Sequence, residues 1–540
     1  MREKTETARG TRARTHARGR LADWALAALS GVLSGAALLA IAELVALIVA
    51  RDGSPVLAVG SFVIDIVPRW AKEFAIETFG ANDKLFLLAS IGVAVAVAAA
   101  LAGVLQWVRR PLGVVLFGLA GALAVAAIVT RTGATPLAAV PTVLGTIGGA
   151  FLLTLLVRRL RVWRAAPRAS APADPAEAPG RDPRFDRRRF LVLAAVVAAG
   201  AAVVGTGSRI VSAATSSLAG IRDALKLPAP RATVPVPDGA ELDVPGISPL
   251  YTPNTDFYRV DTALTVPAVD PSSWRLTVVG LVDNEVTLSF QDLLDLGLDE
   301  YSITLTCVSN EVGGELLGTA KWLGVPVRTV LAAAGPQQGA DMVLSKSVDG
   351  FTASTPLGSL TDEGIDAIFA VAMNGEPLPL EHGFPVRMVV PGLYGYVSAT
   401  KWVTELKVTT FDADEAYWTP RGYSAEAPIK LSSRIDTPRI DKQLAAGPTK
   451  IAGVAWAQTV GIEKVEVSID DGEWQPAKLS TAVNADTWVQ WVLDWTATPG
   501  PHYVSVRATD KAGNLQIEER APIAPDGSTG WQRTLITVTG

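Results

Sequence analysis

Five long apolar runs occupy the first 210 residues of the chain. A helix needs about 20 apolar residues to cross the hydrocarbon core of a bilayer, and the runs reach or approach this length. The predicted spans are Ala25–Ala50, Leu85–Val108, Leu112–Thr130, Pro136–Val157 and Phe190–Gly207. The pattern therefore predicts an N-terminal transmembrane helical bundle with five spans.

Arginine dominates the segments that flank these runs. The segment before the first run is strongly basic, Arg109 and Arg110 follow the second, and further arginines follow the fourth. By the positive-inside rule these flanks and the N-terminus are cytoplasmic, and an odd number of spans places everything after residue 210 outside. The prediction is a multi-pass protein of the cell membrane, divided into a basic cytoplasmic tail over residues 1–20, a four-span anchor over 21–163, a cytoplasmic linker over 164–189 and a fifth transmembrane helix over 190–210.

The predicted linker ends in Arg187, Arg188 and Arg189, directly ahead of the fifth span. This string resembles a twin-arginine export signal placed inside the chain. Arginines beside a helix are most often topology determinants, so both interpretations stay open.

The predicted spans contain almost no ionisable residue, and Glu43 is the only charged one. Transporters and proton pumps carry such groups at membrane depth, so the bundle is interpreted as an anchor or docking platform. All three histidines and all four methionines lie outside the spans, which argues against a haem held between these helices.

After about residue 230, short runs that favour strands alternate with turns and brief helices. Trp274–Val279 and Tyr301–Cys307 are predicted strands, and Ser289–Leu296 is a predicted helix with Ser289 as its N-cap. This part of the chain is acidic, which argues against a nucleic-acid partner because phosphate binding needs clustered Lys and Arg.

Cys307 is the only cysteine of the chain and lies where an apolar strand ends. Period-2 alternation puts it on the same strand face as Ile303 and Leu305. A lone cysteine on such a face is usually a small buried hydrophobe. One cysteine allows neither a disulfide nor an iron–sulfur cluster within the chain, and there is no Cys-x-x-Cys-His haem motif.

Several strings surround Cys307 in a fixed order. They are Asn254–Asp261, Lys321–Pro326, Met373–Pro379 and His382–Gly392, continuing to Lys401-Trp402. Together they resemble the molybdopterin-binding domain of the sulfite oxidase family, which includes plant nitrate reductase and a bacterial methionine-sulfoxide reductase. The resemblance implies an α+β catalytic domain of the sulfite-oxidase type over residues 230–435, lying on the extracytoplasmic side.

The resemblance also implies roles for individual residues. Cys307 would be the molybdenum ligand, because a thiophilic metal favours a thiolate. The cofactor-binding residues would be Tyr258, Arg259, Asp261, Cys307, Ser347, His382, Arg387 and Lys401, and the catalytic ones Cys307, Phe351 and Arg259. The alternatives are a surface salt bridge for Arg387 and Lys401 and a hydrogen-bonded core histidine for His382.

Residues 445–540 predict a C-terminal immunoglobulin-like β-sandwich. Its predicted strands are Ile451–Trp456, Val465–Ile469, Trp488–Leu493 and Tyr503–Ala508. Two strings in it resemble the domain that follows the cofactor domain in the same family. In relatives that domain often mediates dimerisation, so a homodimer is left open.

Two positions depart from the pattern of true sulfite oxidases. Where those enzymes carry two arginines shortly after the metal cysteine, this chain has Glu311 and Val312, and their active-site tyrosine is replaced by Phe351. Glu311 near the metal is expected to repel a dianion, and phenylalanine donates no proton. The expected substrate is therefore a small molecule or oxidised side chain of low charge, such as a sulfoxide or another oxo acceptor.

The expected reaction is two-electron chemistry at molybdenum with oxygen-atom transfer. With no haem or iron–sulfur cluster expected in this chain, electrons would pass through a separate membrane or soluble partner. The alternatives are a sulfite dehydrogenase and, from a different class, a cofactor-free membrane scaffold or binding protein.

Overall fold

The structure is a computed structural model that describes residues 3–49, 83–129, 136–165, 183–205, 218–263, 265–439 and 442–540. It divides into two compact units, a helical unit over Met1–Ala214 and a soluble unit over Thr215–Gly540.

The described part of the helical unit consists of helices. They are α1 (Glu3–Val49), α2 (Asp83–Val108), α3 (Leu112–Val129), α4 (Val140–Ala165) and α5 (Pro183–Gly205), with a 3-10 turn at Pro136–Ala139 before α4. Four described segments are long and apolar enough to cross a membrane, namely Arg20–Ala46, Ala89–Val108, Leu112–Val129 and Leu137–Ala165. They coincide with the first four predicted spans, whereas the fifth span, which falls on α5, stays a prediction.

Parts of the predicted anchor and linker lie outside the described residues, including 166–182 and the end of the fifth span at 206–210. Within the described residues, α1 already begins in the predicted basic tail, and Arg187–Arg189 belong to α5. Whether these arginines serve export stays a prediction.

Small residues let α1 and α2 approach each other closely. A Cβ atom on Gly31 of α1 would collide with the carbonyl oxygen of Ala99, and one on Gly103 of α2 would collide with that of Ala27. Such close backbone packing is typical of helix pairs in membranes, where the hydrophobic effect does not drive association.

Arginines of α4 form hydrogen bonds and an ion pair with neighbouring helices at one end of the bundle. The Nη2 atom of Arg161 donates hydrogen bonds to the carbonyl oxygens of Gln106 and Trp107, at 2.8 Å and 2.6 Å, in the last turn of α2. Arg164 forms an ion pair of 2.6 Å with Asp23 of α1. The guanidinium of Arg161 thereby satisfies carbonyl groups that a helix C-terminus leaves without intrahelical partners.

The first part of the soluble unit contains two sheets. One is a mixed sheet in the order β2-β1-β10-β5-β6, and the other has the order β3-β4-β7-β8 with β9 paired to β7. The strands are β1 (Arg275–Gly280), β2 (Val286–Ser289), β3 (Asp299–Thr306), β4 (Leu317–Pro326), β5 (Met342–Ser347), β6 (Thr352–Pro356), β7 (Ile368–Met373), β8 (Glu376–Pro377), β9 (Arg387–Val389) and β10 (Val403–Thr409). The helices are α6 (Phe290–Asp295), α7 (Val327–Ala334), α8 (Leu357–Thr361) and α9 (Gly395–Ser398).

Local signals predicted several of these elements closely. Ser289 caps α6 through a capping box with Asp292, as its sequence position indicates. The two predicted strands correspond to β1 and β3, and Cys307 follows β3 directly.

The last part of the soluble unit is a two-sheet sandwich. Its sheets have the orders β11-β13-β17-β16 and β12-β19-β18-β14-β15. The strands are β11 (Ser432–Thr437), β12 (Leu444–Ala445), β13 (Gly447–Trp456), β14 (Ile462–Ile469), β15 (Gln475–Pro476), β16 (Lys478–Leu479), β17 (Val489–Ala497), β18 (Gly500–Asp510) and β19 (Gln532–Thr539). Strand β11 begins before residue 435, so the sandwich draws on residues assigned by sequence to the preceding domain. Its immunoglobulin-like character stays a prediction.

The sandwich covers the outer edge of β3, the strand that leads to Cys307. The backbone N–H of Thr304 donates to the carbonyl oxygen of Asp486 at 2.9 Å, and Nδ2 of Asn484 donates to that of Ser302, also at 2.9 Å. The loop after the cysteine is held in the same way, because Oγ of Ser528 donates to the carbonyl oxygen of Asn310 at 2.7 Å. The backbone on both sides of Cys307 is therefore bonded to the C-terminal part of the unit.

Candidate active site

A cavity in the soluble unit contains Cys307 in its wall, and residues from widely separated segments of the unit line it. Predicted site residues in its wall are Tyr258, Asp261, Cys307, Ser347, Phe351, Arg387 and Lys401. The structure thus brings seven of the nine predicted site residues to one cavity, hereafter the Cys307 cavity.

Cys307 is held in place by its backbone. Its N–H donates to the carbonyl oxygen of Leu316 at 2.9 Å, and its carbonyl oxygen accepts from the N–H of Asn310 at 3.0 Å. Burial raises the pKa of the thiol, and hydrogen bonds from Ser309 and the charge of Lys401 offset only part of this effect. The side chain is thus a neutral thiol in the protein alone, and a bound metal cation would stabilise the thiolate.

Arg387 is a buried cation without an acidic partner among the described residues. It is 4% exposed, and its Nη1 atom donates to the carbonyl oxygen of His382 at 3.2 Å. Its guanidinium lies 5.2 Å from the ring centroid of Trp322. Burial lowers the pKa of Arg387 to about 10, so it stays protonated at neutral pH. Because an uncompensated buried charge is costly, this guanidinium favours an anionic ligand in the cavity.

Lys401 shares a carboxylate with Arg259. Its Nζ atom lies 3.1 Å from Oδ2 of Asp261, to which Nε of Arg259 also donates at 2.8 Å. Burial lowers the pKa of Lys401 to about 8, although Asp261 raises it in part. The Arg259 side chain is 36% exposed and does not line the cavity. Arg259 therefore acts on the site through Asp261 in this structure.

His382 is buried directly behind the cavity wall and does not line it. Its Nε2 atom lies 3.3 Å from the carbonyl oxygen of Asn254, whereas its buried Nδ1 atom has no hydrogen-bond partner among the described residues. Burial, with the nearby charges of Lys401 and Arg387, lowers its pKa to about 3, so the ring is neutral. The carbonyl contact requires the proton on Nε2, which leaves Nδ1 as an acceptor for a ligand N–H group.

Three further predicted residues complete the wall. Ser347 ends β5, and its N–H donates to the carbonyl oxygen of Phe351 at 2.9 Å across a tight turn. Tyr258 stacks on Phe257 with ring centroids 5.3 Å apart. Burial raises the pKa of Tyr258 well above its usual range, so its hydroxyl stays protonated.

Sequence reasoning missed several residues of the wall. Ser309 and Asp349 lie next to predicted positions, and Asp349 accepts a hydrogen bond from the hydroxyl of Thr262 at 3.2 Å. Tyr396, Trp418 and Tyr423 also line the cavity. The only sequence signal for Trp418 and Tyr423 is that the stretch after residue 416 is rich in aromatic residues. The spacing of these residues matches no known motif, so it does not place them in the site.

Glu311 does not occupy the position expected for it. Its side chain is solvent-exposed and is not part of the cavity wall. Water and salt screen such a charge, so Glu311 gives no argument against a dianionic substrate. The argument from Phe351 stands, because its ring does line the cavity.

The donor set fits the molybdenum cofactor that the sequence resemblance implies. A buried thiol offers a soft ligand to the metal. The guanidinium of Arg387, which has no acidic partner in the described part of the chain, suits an anionic group, and the Nδ1 atom of His382, which has no hydrogen-bond partner there, suits a ring N–H.

Comparison with known proteins gives consistent results. The family model for the oxidoreductase molybdopterin binding domain matches residues 263–418. Human mitochondrial sulfite oxidase is 31% identical over 322 residues, covering 50% of this chain and 58% of that protein. Chicken (Gallus gallus) sulfite oxidase is 30% identical over 335 residues, covering 52% of this chain and 72% of that protein.

Among solved structures, the sulfane dehydrogenase SoxCD from Paracoccus pantotrophus is 23% identical, with a TM-score of 0.47. That match covers 53% of this chain and 81% of that chain. The chain thus spans little more than half of the length of the mammalian relatives it matches.

Proposed function

This chain belongs to the sulfite oxidase family of molybdopterin-dependent oxidoreductases, and from that premise we propose that it binds a molybdenum cofactor through Cys307 and catalyses oxygen-atom transfer on a small extracytoplasmic substrate. The observation that carries the proposal is the convergence on one cavity of a buried thiol and a buried guanidinium that has no acidic partner among the described residues.

Each residue of the donor set has a distinct task. Cys307 would ligate the metal as a thiolate, Arg387 and Lys401 would hold the anionic and oxygen-bearing groups of the cofactor, and Nδ1 of His382 would accept a hydrogen bond from a ring N–H. When bound, the cofactor would supply two-electron redox chemistry. Tyr258 stays neutral and therefore serves as a hydrogen-bond donor inside the cavity.

The N-terminal helices anchor this activity to the cell membrane. Four described helices have the length and apolarity of membrane spans, and their arginine-rich flanks favour a cytoplasmic N-terminus. A fifth span would then put the soluble unit on the extracytoplasmic side. Electrons pass through a separate membrane or soluble partner, and dimerisation through the sandwich is part of the same proposal.

The metal content of the purified full-length protein tests this function. We expect about one molybdenum per chain in the wild type and almost none in Cys307→Ser, because an alcohol does not replace a thiolate. Glu363→Gln, at an exposed position in the same unit, is the control and should retain the metal. A wild-type protein without molybdenum, expressed in a host that makes the cofactor, would contradict the proposal.

Sulfite oxidation is the second candidate, because the named relatives are sulfite oxidases and Glu311 lies outside the cavity. Anaerobic addition of sulfite to the purified, molybdenum-containing protein distinguishes it, since a sulfite dehydrogenase takes up two electrons from sulfite within seconds, which changes its visible absorption spectrum.

A further inference from the structure

Arginines from several helices meet at one end of the helical unit. Arg161 of α4 bonds to the last turn of α2, and Arg164 pairs with Asp23 of α1. The guanidinium of Arg187 of α5 lies 6.0 Å from the ring centroid of Trp163 of α4. Further arginines at this end are Arg20, Arg109, Arg110, Arg158 and Arg159. Among the side chains that the structure describes there, Asp23 is the only acid, so this end carries a large excess of positive charge.

Four of these arginines surround the turn between α2 and α3. Arg109 and Arg110 belong to that turn, and the guanidinium of Arg161 bonds to the carbonyl groups that directly precede it. Arg158 lies three residues before Arg161 on α4, so the two side chains are neighbours on the helix surface. Arg109, Arg110, Arg158 and Arg161 are hereafter called the arginine face.

The arginine face lacks an acidic partner within the described part of the chain. Arg161 donates to main-chain carbonyl oxygens, and Arg110 lies close enough to repel it. The side chains of Arg109, Arg110 and Arg158 are exposed. Like charges held close together repel each other, so an anion that binds between them is favoured. Guanidinium groups bind phosphate oxygens with two parallel hydrogen bonds, which makes a phosphate group the best match.

Exposed apolar side chains lie directly beside the arginine face. Val108 is 64% exposed and precedes Arg109, and Leu112 and Val115 are exposed at the start of α3. Apolar surface that borders a charged patch marks contact with a membrane or another apolar partner. A free phosphate ion gains nothing from these side chains, whereas the acyl chains of a phospholipid do. The combination of charge and apolar surface therefore fits a phospholipid.

Resting on the membrane anchor of the proposed function, we propose that the arginine face binds the phosphate group of an anionic phospholipid, whose acyl chains lie along the exposed apolar side chains of α2 and α3. Arg109, Arg110 and Arg158 contact the phosphate, and Arg161 adds positive charge while it fixes α4 against α2. The bundle then selects its lipid neighbours and does more than hold the soluble unit at the membrane.

Lipid retention by the purified full-length protein tests this surface. The protein is reconstituted into vesicles that contain equal amounts of phosphatidylglycerol and phosphatidylcholine and is then extracted into a neutral detergent. Mass spectrometry of the intact protein gives the ratio of the two lipids that remain bound. Helical circular dichroism of each variant in the same detergent verifies that the bundle is folded.

We expect phosphatidylglycerol to be enriched about tenfold over phosphatidylcholine on the wild-type protein. Arg110→Gln combined with Arg158→Gln should remove most of this enrichment, because two cations beside the phosphate are lost. Arg110→Lys combined with Arg158→Lys keeps the charge but not the paired hydrogen bonds and should give an intermediate ratio. Lys478→Gln combined with Lys511→Gln is the matched control, because it removes the same charge from exposed positions of the sandwich.

Three results would overturn the inference. One is equal retention of the two lipids by the wild type, and another is undiminished enrichment in the folded Arg110 and Arg158 glutamine variant. The third is displacement of the lipid by excess inorganic phosphate, which would indicate a site for a free anion.

The basic N-terminal tail provides a further arm of the test. Arg12→Gln combined with Arg14→Gln should leave the enrichment unchanged, and its loss in this variant would assign the lipid to the tail instead. A full-length protein that dissolves without detergent would contradict the membrane anchor itself. Molybdenum content is measured separately, so failure of the catalytic proposal is recognised independently of the lipid result.

Discussion

The helical unit and the soluble unit differ in what they bury. The buried polar side chains of the helical unit, in its described part, are the uncharged Ser30, Ser34, Gln106 and Thr142. The soluble unit buries the cations Arg387 and Lys401 beside a thiol. Because burying a charge is costly, a chain retains one only where a ligand or partner compensates it. The buried cations and thiol therefore place the chemistry in the soluble unit, whereas the helical unit is held together by close packing of its helices.

The largest expected effect is on cofactor retention, and it tests the difference between the two units at Arg387. Arg387→Met should weaken cofactor retention about 10- to 100-fold, because a hydrogen bond to a charged group contributes about 1.5–3 kcal/mol. The same change should leave the cofactor-free protein as stable as the wild type or stabilise it by about 1 kcal/mol, since it removes an uncompensated charge. Molybdenum content after dialysis and the thermal unfolding midpoint measure the two effects.

Arg434 is the matched control for Arg387. It is 7% exposed, but its Nε atom forms an ion pair of 2.6 Å with Asp436. Arg434→Met should destabilise the protein by about 3 kcal/mol because it leaves a buried carboxylate unpaired, and cofactor affinity should be kept. Destabilisation of similar size in both variants would show that Arg387 is structural.

The second prediction concerns a substitution that disrupts the packing of α1 against α2. Gly31→Leu should destabilise the bundle by about 1–3 kcal/mol, because its Cβ would collide with the carbonyl oxygen of Ala99. Gly92→Leu is the control on α2, since nothing lies within 4 Å of a Cβ there. Thermal loss of helical circular dichroism in detergent measures the difference. Equal midpoints for the two variants would contradict the close crossing.

The third prediction concerns pH. Burial, with the nearby charge of Asp366, raises the pKa of Asp486 to about 7, above its value in the unfolded chain. The folded protein therefore binds more protons between about pH 4 and 7, so stability falls as the pH rises over this range. Asp486→Asn, which resembles the protonated acid, should stabilise the protein more at pH 8.5 than at pH 5, by about 2 kcal/mol.

Thermal unfolding midpoints at the two pH values measure this effect. Asp238→Asn, at an exposed position of the same unit, should change the midpoint at neither pH. A gain for Asp486→Asn at pH 5 as large as at pH 8.5 would show that charge burial is not its cause.

The smallest expected effect lies at the covered edge of β3. Asn484→Ala removes the hydrogen bond to the carbonyl oxygen of Ser302 and should cost about 1 kcal/mol. Amide hydrogen exchange in β3 should become faster, while α1 to α4 are unaffected. Asn514→Ala, which removes a 2.9 Å hydrogen bond to Asp510 elsewhere in the sandwich, should leave exchange in β3 unchanged.

Sequence patterns predicted those elements that are determined by residues close together in the chain. The cap of α6 at Ser289, the strand before Cys307 and the first four apolar helices all depend on side chains close together in sequence. The ordered sequence strings around Cys307 identified the family. Most of the site residues predicted from these strings line one cavity in the structure. The end of the cofactor-binding domain was less predictable, because β11 pairs with β13, a strand that starts ten residues after β11 ends.

Other features of the site depend on contacts between distant segments. Among the residues that the structure describes, Arg387 has no acidic partner and Nδ1 of His382 has no hydrogen-bond partner, and both facts follow from tertiary packing. Arg259 was predicted as a site residue, but its pairing with Asp261 and its exposure are set by the fold. Trp418 and Tyr423 reach a cavity whose cysteine lies more than 100 residues earlier, and no sequence spacing indicates this.

The hydrogen bonds along the edge of β3 have a consequence for biosynthesis. Residues 484–486 and Ser528 are synthesised long after Cys307, yet they fix the backbone on both sides of it. A ribosome-bound chain that ends before residue 484 therefore has the thiol and both cavity cations but not the support that orders them. Productive loading of the cofactor would then require the sandwich to be synthesised, so its emergence would control when the domain that contains Cys307 becomes competent.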